Sequence, residues 1–155
     1  MIKILQSTLK YLIIGSFLMI FTKITHAEEF GTKDEALSLL ERAIGLVKED
    51  KTRALNLFSS GDGGLNPKDL YPFCITSYGM IVGHPTLEGL DILNFKDPTG
   101  KEVGKEMLST AKYGEVNEVS FMIARLTTDD EKLYKKTQLV VKVADLTCAV
   151  GFYSE

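Results

Sequence analysis

Residues 70–85 carry the pattern that most constrains how this chain can fold. Apolar side chains alternate along residues 71–76 with the period of two that is typical of a β-strand. Gly79 permits a tight turn, and residues 80–82 form a short apolar return segment. Pro85 ends the pattern, because proline has no N–H to donate to a sheet and restricts the residue before it. The stretch therefore predicts a β-hairpin, against which the other elements must pack.

Residues 1–27 have the three-part layout of a secretory signal peptide. The segment contains three lysines and no acidic residue, and an apolar run occupies residues 11–21. This run is shorter than the about 20 residues that a membrane-spanning helix needs, and an uncleaved N-terminal anchor is the alternative. We therefore expect a signal peptide over residues 1–27 and one domain over residues 28–155. We also expect a periplasmic or secreted location with no further membrane span.

The charge of the expected mature chain argues against two classes of partner. Without residues 1–27, the chain has 15 basic and 21 acidic residues, a net charge of −6. Nucleic acids and anionic membranes both need a basic surface on the protein that binds them. We therefore expect neither of them as a partner.

Cys74 and Cys148 are the two cysteines of the chain. Disulfides persist in the oxidising compartments that exported proteins reach, so one alternative is a disulfide between them. The other is two thiols that pack as small hydrophobic groups. His84 is the one histidine of residues 28–155, which leaves no cluster typical of a zinc site. The sequence also lacks a nucleophile motif and a phosphate-binding glycine loop, so we expect no cofactor, no metal and no enzymatic activity.

Helix signals precede the hairpin, and a helix and three strands follow it. Thr32 and Glu35 form a capping-box pattern at the start of a helix that should end near Glu49. Asp50 is placed to cap a second helix, and residues 86–95 predict either a short helix or an ordered loop. The remaining predictions are a helix over residues 101–113 and strands over residues 116–126, 133–143 and 146–153. This order predicts an α+β domain with a five-stranded antiparallel sheet.

The order of these motifs resembles a single Cache domain, a small PAS-like extracytoplasmic sensor module. The segments that carry the resemblance are residues 47–58, 69–73, 79–85, 87–91, 97–101, 143–146 and 151–153. The resemblance implies a PAS-like or profilin-like sheet in the order 2-1-5-4-3, with a long N-terminal helix and helices between strands 2 and 3. It also implies a pocket for a small carboxylate or similar metabolite, and a membrane signalling protein as the partner.

The pocket implied by the resemblance needs an apolar wall and one or two fixed donors. We predict these ligand-binding residues: Tyr71, Phe73, His84, Pro85, Phe121, Arg125 and Lys136. His84, Arg125 and Lys136 would be the donors, and a guanidinium can hold a carboxylate through two parallel hydrogen bonds. The alternatives are that Arg125 and Lys136 face solvent and that His84 is a turn residue satisfied by the backbone.

The register between the third and fourth strands decides whether two of these donors can act together. If Phe121 pairs with Thr137, Lys136 lies on the face opposite Arg125, whereas pairing with Gln138 puts both cations on one face. The apolar alternation in the second half of the fourth strand favours the first register. The sequence therefore predicts that Arg125 and Lys136 act separately.

The functional hypothesis is small-ligand binding by a sensor-type domain that performs no chemistry. The alternative is a protein-interaction module whose pocket is filled by its own side chains. The two hypotheses differ at residues 121–125, because bulky inward side chains there would close the cavity.

Overall fold

The computed structural model of the protein describes residues 30–129 and 131–154. In chain order these form α1 (Lys33–Glu49), α2 (Lys51–Ser60), β1 (Pro72–Thr76), β2 (Ile81–Val82), α3 (Val103–Thr110), β3 (Asn117–Ala124), β4 (Leu133–Val143) and β5 (Leu146–Ser154). The predicted signal peptide lies outside the described residues. Within the described part of the chain, no helix is both long enough and apolar enough to cross a membrane.

The strands form one antiparallel sheet in the order β2-β1-β5-β4-β3. This order confirms the predicted α+β fold class and the predicted strand arrangement. Residues 136–141 of β4 are buried without interruption, as are residues 146–151 of β5. The two central strands are therefore covered on both faces, and the sheet separates two packed layers.

α1 and α2 form the layer on one face, and both begin at the predicted caps. Thr32 Oγ1 accepts from the Glu35 backbone N–H at 3.2 Å, and Glu35 Oε2 accepts from the Thr32 N–H at 2.9 Å. Asp50 Oδ1 accepts from the Arg53 N–H at 3.0 Å. The apolar faces of the helices pack on the sheet through a shared core that includes Ala36, Leu40, Ala43, Ala54, Phe58, Leu139, Val141 and Val150. Capping and burial together explain why both helices form here.

Cys74 on β1 lies directly opposite Cys148 on β5, and the two are joined by a disulfide. Both residues are fully buried in the helix-covered core. The structure therefore contains the bond that was one of the two alternatives open from the sequence. The cysteines are 74 positions apart, and closing a loop of that length stabilises a folded chain by about 4 kcal/mol in the chain-entropy model.

The predicted hairpin forms, and its second strand is very short. Gly79 makes the turn with a φ of 85°, a left-handed conformation that favours glycine. Gly83 ends β2 with a φ of 63°, and a Cβ placed there would lie 3.1 Å from the backbone Cα of Leu55 on α2. The chain therefore leaves the sheet after the two residues of β2 and packs closely against α2 at Gly83.

The other face of the sheet is covered by the ordered loop of residues 83–102 and by α3. Asp97 fixes the end of this loop to the sheet edge: its Oδ2 accepts from the Met122 N–H of β3 at 3.1 Å, and its Oδ1 accepts from the Thr99 hydroxyl at 2.6 Å. The Thr99 hydroxyl, helped by backbone N–H donors, lowers the pKa of Asp97 to about 2. The loop is therefore held over the sheet by a carboxylate that stays ionised.

Two predictions about this half of the fold are wrong in detail. Phe121 pairs with Lys136, because the apolar alternation in the second half of β4 marks the helix-covered face rather than the face that Phe121 occupies. α3 ends at Thr110 rather than near residue 113, because the chain beyond it pairs with β4 through the Lys142 N–H and the Lys112 carbonyl at 2.9 Å. Residues 86–95 form the ordered loop rather than a helix.

Candidate functional site

A cavity of about 350 Å³ lies between the sheet and the loop of residues 83–102. This volume is within the range of small-molecule sites. Its walls are mostly apolar and come from β1, β3, β4, the loop and α3; the lining residues are Tyr71, Phe73, Ile81, His84, Leu87, Leu90, Asp91, Ile92, Asn94, Phe95, Val103, Met107, Phe121, Ile123, Leu126, Lys136 and Gln138. The side chains of residues 121–125 therefore do not close the cavity.

Lys136 is the cation of this cavity, and its side chain is 2% exposed. Its Nζ donates to the hydroxyl of Tyr71 at 2.9 Å and to the hydroxyl of Tyr153 at 3.4 Å. None of the ion pairs found among the described residues involves Lys136. Burial lowers the pKa of Lys136 from 10.5 to about 8; Asp69 opposes this fall, and the positive charge of Arg125 adds to it. The alternative that Lys136 faces solvent is therefore wrong.

The absence of a side chain at Gly151 makes room for Lys136. Gly151 lies on β5 next to β4, and a Cβ placed there would lie 2.5 Å from Lys136 Cε and 2.7 Å from Gln138 Oε1. Both distances are far below a van der Waals contact, so the two side chains lie over the strand where another residue would carry its own. A glycine inside a strand commonly marks such a close approach.

His84 forms hydrogen bonds with the backbone of the loop and also lines the cavity. Its Nδ1 accepts from the backbone N–H groups of Thr86 and Leu87 at 3.0 and 3.1 Å. Nδ1 is therefore an acceptor, and the proton of the neutral ring lies on Nε2. Burial, reinforced by the charge of Lys136, lowers the pKa of His84 to about 4. At neutral pH the ring thus lines the cavity as an uncharged group with one N–H to donate.

Arg125 lies outside the cavity and is held by its own counter-ion. Its Nη1 donates to Asp69 Oδ2 at 2.8 Å, in a pair whose side chains are 6% and 3% exposed. Asp69 Oδ1 accepts from the Gly31 N–H at 2.7 Å. The guanidinium also stacks on the ring of Phe30, 3.7 Å from its centroid, and lies 4.6 Å from that of Tyr153. Arg125 therefore joins the N-terminal segment to the sheet. It was predicted to be a ligand donor, but it is not among the residues that line the cavity, and the alternative that it faces solvent is wrong.

The buried charges beside the cavity do not balance. Arg125 and Lys136 are cations on the same side of the sheet, whereas Asp69 is the one carboxylate that contributes to the pKa of Lys136. Asp69 is occupied by Arg125 and Gly31. Among the described residues, the Lys136 ammonium therefore has phenolic partners and no counter-ion, and a buried cation without a counter-ion is costly. An anion that entered the cavity would supply the missing charge.

Gln138 is a second polar group in the cavity wall. It is 4% exposed, and its Oε1 has no hydrogen-bond partner in the structure. It lies two residues from Lys136 on the same face of β4. A buried acceptor without a donor is rare in folded proteins.

Five of the predicted site residues come together at the cavity: Tyr71, Phe73, His84, Phe121 and Lys136. Pro85 and Arg125 are not among its lining residues. Sequence reasoning missed Gln138, Tyr153 and the counter-ion Asp69. The position of Gly151 inside an apolar strand was the one signal that could have pointed to the side chains packed above it.

Three solved structures are similar to this chain. A methyl-accepting chemotaxis protein from Vibrio parahaemolyticus RIMD 2210633 has a TM-score of 0.61 and 18% identity, over 78% of this chain and 87% of that one. A Cache chemosensory domain described for carboxylic acid recognition has a TM-score of 0.57 and 23% identity, over 76% and 85%. The periplasmic sensor domain of a chemotaxis protein has a TM-score of 0.56 and 19% identity, over 79% and 90%.

No family model matches the sequence, and no curated protein matches it. The similarity to solved structures nevertheless extends over most of both chains. It agrees with the resemblance noted in the sequence and with the observed strand order. The chain has the fold of a single Cache domain.

Proposed function

We propose that this protein is an extracytoplasmic sensor-type domain that binds a small organic carboxylate in the cavity beneath residues 83–102. The observation that carries the proposal is the buried ammonium of Lys136 in an apolar cavity, where it forms no ion pair with any of the described residues. A carboxylate placed there would replace the lost hydration of the ammonium with a charge-assisted hydrogen bond. The proposal assigns binding to the cavity and no chemical step.

Two further observations support this assignment. His84 lines the same cavity as a neutral ring, and its one N–H is on Nε2 because Nδ1 accepts from Thr86 and Leu87. One of the similar structures is a Cache chemosensory domain described for carboxylic acid recognition. The alternative of an interaction module with an occluded pocket is weakened by the open volume of about 350 Å³.

A thermal-shift screen of aliphatic carboxylates and their uncharged amides would test the proposal. We expect at least one carboxylate to stabilise the protein and its amide to have little effect. Lys136→Met should weaken that binding at least tenfold, since hydrogen bonds to charged groups contribute about 1.5–3 kcal/mol. Lys135→Met is the matched control, because Lys135 directly precedes Lys136 in the same strand and is exposed.

Two outcomes would contradict the proposal. If no carboxylate stabilises the wild-type protein, the cavity is not a carboxylate site. If Lys136→Met and Lys135→Met bind the same carboxylate equally well, the anion is held elsewhere.

The proposal places the protein outside the cytoplasm, with a membrane signalling protein as the partner that reads ligand occupancy. The layout of residues 1–27 supports export. Mass spectrometry of the exported protein would test this part: we expect a mature chain that begins at residue 28. Retention of residues 1–27 would instead support an N-terminal anchor.

A further inference from the structure

We infer that the ligand of this cavity is a monocarboxylate that carries a hydrogen-bond donor next to its carboxylate and an uncharged apolar body. The inference rests on the proposed function, because it takes Lys136 as the group that holds the carboxylate. It goes further by assigning the other three parts of the cavity wall. These parts are Asp91, the amide of Gln138 and the apolar surface.

The charges of the lining favour one carboxylate over two. Lys136 and Asp91 are the charged residues among those that line the cavity, and His84 is neutral at neutral pH. Asp91 is anchored on the loop: its Oδ1 accepts from the Leu93 N–H at 2.8 Å, and its Oδ2 accepts from the Asn94 amide at 3.2 Å. A second ligand carboxylate would therefore find no further cation in the lining and would be repelled by Asp91.

The side-chain amide of Gln138 favours a ligand that carries a hydrogen-bond donor. Its Oε1 is buried and accepts no hydrogen bond from the part of the chain that the structure describes. It lies close to Lys136 because both side chains occupy the space over Gly151. Because this oxygen is buried, the Gln138 side chain must turn toward the ligand, which would bring the oxygen to the carbon next to a carboxylate held on the Lys136 ammonium. A hydroxyl on that carbon would donate to Gln138 Oε1 and satisfy it.

The rest of the cavity wall is apolar and favours a ligand with an apolar chain. Leu87, Phe95, Met107, Phe121 and Ile123 are among the apolar residues that line the cavity. At the roughly 30 Å³ that one non-hydrogen atom occupies in a liquid such as water, the cavity holds on the order of ten such atoms. A three-carbon hydroxy acid would leave much of this surface in contact with water. Each added methylene that reaches it should improve the affinity roughly fourfold.

Calorimetric titration of the purified protein with four probes tests the inference. The probes are lactate, hexanoate, 2-hydroxyhexanoate and adipate, which separate chain length, the hydroxyl and the second carboxylate. We expect 2-hydroxyhexanoate to bind most tightly, on the order of 50-fold tighter than lactate and roughly threefold to tenfold tighter than hexanoate. Adipate should bind at least tenfold more weakly than hexanoate.

Two variants test which residues cause the preference for a hydroxyl and the preference for one carboxylate over two. Gln138→Met keeps the approximate shape of the side chain and removes its acceptor, so the ratio of the affinities for 2-hydroxyhexanoate and hexanoate should fall to about one. Asp91→Asn removes the rim charge, so the ratio of the affinities for adipate and hexanoate should rise. The probe series on the wild-type protein tests the inference even if a variant fails to fold.

The outcomes separate this inference from the proposed function. If lactate or adipate binds as tightly as 2-hydroxyhexanoate, the inference is wrong and carboxylate binding stands. If the preference for the hydroxyl persists in Gln138→Met, another group accepts the hydrogen bond from the hydroxyl, and the role inferred for Gln138 is wrong. If none of the four probes binds, the inference is wrong, and the thermal-shift screen of carboxylates decides the proposed function separately.

Discussion

Lys136→Met should stabilise the unliganded protein at neutral pH, although it removes the group that we assign to ligand binding. Burial lowers the pKa of Lys136 from 10.5 to about 8, which corresponds to a cost of about 3 kcal/mol for keeping the ammonium charged in the folded state. The substitution also removes the hydrogen bonds to Tyr71 and Tyr153, which together contribute about 1–2 kcal/mol. The net expectation is a gain of about 1–2 kcal/mol in the free energy of unfolding at pH 7.

The sign of the pH dependence follows from the same pKa. The unfolded chain holds the Lys136 proton up to about pH 10.5, whereas the folded protein releases it near pH 8. Between these values the unfolded state binds more protons, so the stability of the wild-type protein rises with pH. Below pH 8 both states are protonated, and the cost of the buried charge is fully present. The advantage of Lys136→Met should therefore shrink as the pH rises from 8 to 10.

Urea unfolding of wild type, Lys136→Met and Lys135→Met at several pH values between 6.5 and 9.5 measures this effect. Comparing variants removes the contribution of groups common to all three, including Tyr71, whose pKa is raised by burial. Lys135→Met should follow the wild type, because Lys135 is exposed. A Lys136→Met variant that is less stable at pH 7, or whose stability difference from wild type does not change with pH, would show that the buried charge of Lys136 does not destabilise the folded protein.

Three other substitutions test the parts that support the site. Gly151→Ala should lower the thermal midpoint and weaken carboxylate binding, because a Cβ would lie 2.5–2.7 Å from two cavity-lining side chains of β4; Gly45→Ala, where a Cβ meets nothing within 4 Å, is the control, and equal effects would contradict this role. Asp69→Asn leaves a buried guanidinium without its counter-ion and should cost about 3–5 kcal/mol in urea unfolding; a cost below 1 kcal/mol would argue against the buried pair. The double change of Cys74→Ala and Cys148→Ala should cost about 4 kcal/mol, and an unchanged urea midpoint in oxidised protein would contradict a stabilising disulfide.

The layout of the fold could be predicted because its signals are local. The capping box at Thr32 and Glu35, the Asp50 cap and the hairpin ending at Pro85 each depend on a few consecutive residues, and all were found where expected. The length of α3 could not be predicted in the same way. The last predicted turn does not form, because Lys112 pairs instead with β4, which is distant in sequence.

The site was harder to predict, because its chemistry depends on pairs far apart in sequence. Arg125 was expected to be a ligand donor, and nothing near it in the chain identifies Asp69, 56 positions away, as its buried partner. The register was misjudged for a related reason. β4 is buried on both faces, so its apolar alternation marks one covered face without saying which face contains the cavity. The position of Lys136 opposite Phe121 follows from that register.

The pKa of Lys136, measured with and without a bound carboxylate, is the most direct test of whether this ammonium holds the ligand. It can be followed through the ¹³Cε resonance of labelled lysine in an NMR titration, with Lys136→Met to assign the signal. We expect a pKa of about 8 for Lys136 in the free protein. Binding of the tightest carboxylate should return it toward 10.5, because a nearby anion favours the charged form. A pKa that stays near 8 while the carboxylate is bound would contradict the claim that Lys136 is the anion receptor.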